Sequence, residues 1–229
     1  MGNLSEFLME ELNVATAFTI PIFGGIEVAE STVISWVIMA IIVILTLVLT
    51  RNMRVEKPGK LQVGVEYTVT ALQNLVRGII GHEGERYVPY LSTVLVFLGI
   101  SNIFAIFGMK PPTKDLNVTA ALALMSIILV QAASIRQNKV GGWLKGFTKP
   151  SKVITPLNVM ELVIRPLSLC MRLFGNVMGA FVVMKLLEHL VPVILPAVFS
   201  LYFDFFDGLL QAYVFVFLTG LYIKEAVEE

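Results

Sequence analysis

The chain has 229 residues, 56% of them hydrophobic and only 15% charged, with a mean hydropathy of +0.81. A soluble domain carries about 25% charged residues, so this chain lacks the polar surface to cover itself and needs lipid around part of it. Its 17 basic and 17 acidic residues cancel, which gives no basis for a nucleic-acid partner, and the single Cys170 excludes an internal disulfide or a multi-cysteine metal site.

Residues 1–30 open with MGNLSEFLMEEL, acidic where a cleavable signal peptide is basic. They are expected to belong to the mature chain and to lie outside the membrane. Residues 31–50 carry no charge and meet the requirement of about 20 apolar residues for a ~30 Å hydrocarbon core. Residues 61–80 differ: Leu61, Val65, Val69, Leu72, Val76 and Ile79 form one helical stripe, while Gln62, Glu66, Gln73 and Arg77 sit off it. That is the pattern of an amphipathic helix in the interface or laid over other helices. Residues 88–109 and 116–135 are again uncharged and long enough to span. A buried helix of a large soluble protein can show one such run; three in so small a chain point to a membrane.

Residues 153–189 and 193–225 are largely apolar but too long for one upright crossing, reaching ~50 Å each at 1.5 Å per residue. Each must tilt, kink or lie partly within the bilayer. Pro166 offers a kink in the first, and Pro192 and Pro196 bracket the turn into the second. The expected fold is an all-α polytopic membrane protein with five membrane-crossing helices and one amphipathic interfacial helix. The last two crossings are long, tilted and antiparallel, a shape suited to embracing something outside the chain.

Basic residues in short loops set the orientation. Arg51, Arg54, Lys57 and Lys60 follow the first span, and Arg136, Lys139, Lys145, Lys149 and Lys152 fill the 136–152 loop. The 110–115 loop holds only Lys110, Lys114 and Asp115. Both basic loops are therefore expected in the cytoplasm, with the N-terminus outside and the C-terminus inside. The parity closes only if 61–80 does not cross.

Ionisable groups inside membrane helices are costly and mark function. Glu161, Arg165, Ser168, Arg172 and Asn176 fall on one helical stripe, and the Arg172 guanidinium cannot escape its cost by losing a proton. Asp204, Asp207 and Gln211 share a face of the following helix. With the predicted orientation, Glu161 lies toward the inside and the two aspartates toward the outside, so polar groups approach the middle from both faces with a fixed cation between them. A snorkelling arginine and solvated interfacial aspartates are the plainer alternatives.

The segments RPLSLCMRLFGNVMG (165–179) and LLQAYVFVFLTGLYI (209–223) closely resemble subunit a of bacterial F-type ATP synthases. TKDLNVTAALAL (113–124), SNIFAIFG (101–108) and PLNVMEL (156–162) agree, and the resemblance covers nearly the whole chain from the first span onward. It implies a non-catalytic stator subunit in a bacterial plasma membrane, held against a rotating ring of c subunits, beside the b-subunit peripheral stalk and the rest of the FoF1 ATP synthase, with no cofactor. In that family the motif arginine, here Arg172, faces the ion-binding carboxylate of each passing c subunit. Asn176 and Gln211 match positions beside it, Glu161 an acidic position on the cytoplasmic access path, and two offset half-channels serve the ring. One departure stands out. Many bacterial members carry Glu and His where this chain has Phe181 and Asp204, so the outer path must use other groups, with Lys185, Glu188 and His189 further candidates.

No P-loop is present, and His82 and His189 form no metal cluster. A secondary cation transporter is the main rival, and it would show an internal repeat that this sequence lacks. A purely structural anchor would not need Arg172 and Glu161 on one intramembrane stripe.

Overall fold

The computed structural model describes residues 16–20, 26–51, 53–54, 58–104, 110–146, 155–190 and 198–228. Two short strands, β1 (Thr16–Ile20) and β2 (Ile26–Ala29), pair antiparallel and lead directly into helix α1 (Glu30–Thr50). This hairpin is an addition to the all-helical expectation, built from the β-branched residues of TAFTI and IEVA.

Along α1 the side chains pass from buried to exposed. Ile38 is fully buried, whereas Val43, Ile44, Leu45, Leu47 and Val48 are all exposed, Val48 at 66%. An apolar helix exposed over most of its circumference is stable only in lipid or against a partner. Helix α2 (Lys60–Ile80) ends at Gly81, whose φ of 78° lets its N–H reach the Arg77 carbonyl at 3.0 Å; a Cβ there would be strained. Only Val76 and Ile80 of α2 are buried, while Leu61 and Tyr67 stand exposed. The predicted apolar stripe therefore meets the bundle at its last turns alone.

Helix α3 (Val88–Ile103) starts with Pro89 in its first turn, where the missing N–H is no loss. The end of the predicted 88–109 span lies outside the described residues. Helix α4 (Leu116–Gly146) outruns its predicted end at 135. It continues to Asn138 and breaks at Lys139, whose φ of 56° and ψ of 165° are not helical. Trp143 Nε1 then donates to Gln131 Oε1 at 2.8 Å. Twelve residues of straight helix would separate these by ~18 Å, so the chain turns back after Asn138. The segment expected as a loop from 136 thus begins helical, and residues 147–152 lie outside the described residues.

Helix α5 (Thr155–Leu190) contains Pro166, and α6 (Gly208–Glu228) is preceded by a π-helical turn, Leu201–Asp207. Pro192 and Pro196 lie outside the described residues. The last two helices are antiparallel: Asn176 meets Gln211, and Arg165, nearer the start of α5, meets Glu225 near the end of α6. Helix α6 is the centre of the bundle. Its Ala212, Phe215, Val216 and Ile223 are buried against Val76 and Ile80 of α2, Leu91 and Leu98 of α3, and the facing side of α4. Among the described residues, Glu30–Thr50, Leu116–Trp143, Thr155–His189 and Val198–Val227 are long and apolar enough to cross a membrane. The described part of α3 is shorter than a full crossing needs.

Candidate functional site

The second half of α5 and the π-helical turn line a partly open cleft. Phe181, Lys185 and Glu188 are four and three residues apart and so share a helix face; all three line the cleft, with Asp204, Asp207 and Gln211 across from them. The sequence-derived candidates of the outer half are therefore brought together, except His189, which is exposed near the end of α5 and is not among the lining residues. Asp204 accepts a hydrogen bond from Ser200 Oγ at 2.6 Å, and Lys185 Nζ pairs with Glu188 Oε2 at 2.9 Å. Glu188, Asp204 and Asp207 outnumber Lys185 along the wall, which makes the cleft attractive to cations.

Phe181 is part of this wall without being inert. Lys114 Nζ sits 3.8 Å from its ring centroid and Lys185 Nζ 5.8 Å, within the range where the negative ring face attracts an ammonium. Lys114 itself is buried. Sequence reasoning had no means of finding this contact, because Lys114 reaches α5 from the 110–115 segment. It also missed Asn102, which lines the cleft from α3.

Where α5 and α6 cross, Asn176 Nδ2 donates to Gln211 Oε1 at 2.6 Å, and Gln211 is 2% exposed. Arg172 lies one turn from Asn176 and is exposed on α5; among the described residues it has no hydrogen-bond, ion-pair or ring partner. Its neighbours Leu167 and Met171 are exposed as well. A permanent cation is thus held at an apolar surface with no counter-charge paired to it among the described residues.

Toward the opposite end, Arg165 Nη2 bridges Glu161 Oε2 at 2.7 Å and Glu225 Oε1 at 3.0 Å, with its guanidinium 5.0 Å from the Tyr222 ring centroid. Glu161 is therefore ion-paired, and Glu225 is a site residue absent from the sequence reading. Among the described residues no group of three or more His, Cys, Asp or Glu is placed to hold a metal ion.

A family profile described as ATP synthase A chain matches residues 32–224. The ATP synthase subunit a of Moorella thermoacetica is 37% identical over 205 residues, covering 89% of this chain and 93% of that protein. The ATP synthase subunit a 1 of Hahella chejuensis is 33% identical, covering 90% and 87%. A subunit named as sodium ion specific, from Propionigenium modestum, is 31% identical, covering 89% and 75%. The long match agrees with the resemblance carried by RLFGN and QAYVF, and the chain belongs to the ATP synthase A chain family.

Proposed function

We propose that this non-catalytic, multi-pass subunit of the ATP synthase membrane sector is the stator that carries the coupling ion to and from a rotating c-ring through two offset half-channels. The observation that carries the reading is Arg172: exposed at an apolar surface, without a partner among the described residues, and one turn from the Asn176–Gln211 contact. A guanidinium in such a place calls for a carboxylate supplied from outside. A c-ring carboxylate must be neutral while it faces lipid, and it ionises beside a fixed positive charge. Arg172 thereby drives unloading into one path and blocks direct passage of a cation to the other. The cleft of Glu188, Asp204 and Asp207 is the outer path, and Glu161 with Glu225 marks the inner one.

The subunit crosses the membrane five times, with its N-terminus outside, α2 on the cytoplasmic face and its C-terminus in the cytoplasm of a bacterial cell. Ser31, in the first turn of α1, donates a hydrogen bond to Asp115 at the start of α4, which supports both helices beginning on one side. The peripheral b subunits belong to the same complex, and the exposed side of α1 is available to a partner helix or to lipid. Purification through this subunit under mild detergent should bring down a ring-forming, two-helix proteolipid; a complex containing none would refute the stator reading. On a Cys170→Ser background, Lys145→Cys should react with an impermeant reagent from the cytoplasmic side and Lys110→Cys from the outside. Labelling of Lys145→Cys from the outside only would reverse the topology.

A further inference from the structure

The cleft is bounded by a polar contact that the ion path itself does not require. Asn102, 3% exposed at the end of α3, donates through Nδ2 to the Gly208 carbonyl at 2.8 Å. Thr113 Oγ1, fully buried, donates to Asn102 Oδ1 at 2.8 Å. The threonine hydroxyl fixes the carboxamide so that its NH₂ faces α6, since the oxygen is the end that accepts. The helices touch at this point: a Cβ on Gly208 would lie 2.9 Å from Asn102 Cβ, so only glycine allows the carboxamide to reach the backbone.

Gly208 is the first residue after the π-helical turn. Asp204 and Asp207 lie within that turn, and Gln211 follows one helical turn later. A π-helical insertion is a rare, single-turn irregularity often found at functional sites. It can migrate unless something pins its end, and each one-residue shift of register turns the affected side chains by about 100°. Such a shift would move both aspartates out of line with the cleft while leaving Gln211 in place.

We infer that Thr113, Asn102 and Gly208 form a register clamp that keeps the π-helical turn at 201–207, so that Thr113 and Asn102 are positioning residues for ion uptake from the outside. The inference rests on the outer-path reading given above. It is tested in vesicles carrying the whole ATP synthase, with synthesis driven at fixed potential while outside protons and outside sodium are varied separately. Thr113→Val is isosteric and removes only the hydroxyl. The assembled Thr113→Val complex should need roughly fivefold more of the coupling ion for half-saturation, the equilibrium effect of one lost hydrogen bond, with its saturating rate little changed. Thr113→Ser should restore the wild-type value. Should Thr113→Val fail to assemble, Gly208→Ala carries the test, because its methyl pushes Asn102 away and should raise half-saturation in the same direction. A purely structural contact would lower the amount of complex or its saturating rate without moving half-saturation, and that result in either variant overturns the clamp. The combined Asp204→Asn, Asp207→Asn variant separates the two ideas. If it is impaired while Thr113→Val is wild type, the clamp alone falls; if it is wild type, the outer-path reading falls and takes the clamp with it.

Discussion

Arg172→Ala should abolish ion-driven ATP synthesis while the subunit remains in the complex. The side chain is exposed and has no partner among the described residues, so its removal leaves no buried group unpaired and packing inside this subunit is untouched. On the proposed mechanism, what is lost is the charge beside which a ring carboxylate ionises. Without it, each ionisation at the interface should bear the penalty of a bare carboxylate near the bilayer centre, at least ~2.5 kcal/mol or about seventyfold per step. The membrane potential provides only ~2.3 kcal/mol per charge per 100 mV, so the penalty consumes the drive. Removing the fixed cation should also open a direct leak between the two proposed paths. Passive ion flux through vesicles should rise as synthesis disappears. Arg172→Lys should fail largely too, because a lysine in this setting can shed its proton and lacks the planar fork. Near-normal synthesis by Arg172→Ala vesicles would refute the mechanism.

The membrane architecture was legible because a bilayer imposes demands that composition and length express directly. Backbone groups in lipid must be satisfied within a helix, so uncharged runs such as 31–50 and 116–135 announce themselves, and both begin helices within a residue of the expected place. Pairing across space is another matter. Arg165 and Glu225 are 60 residues apart and Asn102 and Gly208 106, and no periodicity within one helix carries that information. The π-helical turn was equally hidden. LYFDFFD contains no glycine or proline to mark an irregularity, and helical spacing alone places Asp204, Asp207 and Gln211 on one face regardless. The candidates on α5 were correctly spaced, yet the stripe divides in the fold. Arg165 turns to Glu225 on α6, whereas Arg172 stays exposed. Phe181 shows the limit of a motif comparison: the missing acid is visible in sequence, but the two ammonium groups drawn to the ring that replaces it are not.

The proposed outer path should separate from the inner one by the side on which each mutation acts. Glu188, Asp204 and Asp207 line a single cleft, and their charge concentrates cations at its mouth. Asp204→Asn removes one of three lining carboxylates and leaves Ser200 and the cleft wall in place, so uptake should slow without stopping. With Asp207→Asn added, Glu188 alone faces Lys185 and the nearby Lys114, and the cleft loses its net negative field. Uptake from the outside should then fall on the order of tenfold, the lower end of what such focusing contributes, and raising the salt should shrink the difference. Glu161→Gln acts from the other side. Arg165 would still be balanced by Glu225, so release into the cytoplasm should slow mildly, while the pair Glu161→Gln, Glu225→Gln leaves the guanidinium unpaired at the inner path and should slow release strongly. In oriented vesicles the aspartate variants should respond to the outside ion concentration and the glutamate variants to the inside one. If both aspartates are merely solvated at a helix end, their double variant transports at the wild-type rate, and the outer path as proposed falls, with Lys185, Glu188 and His189 the next candidates to carry it without the aspartates.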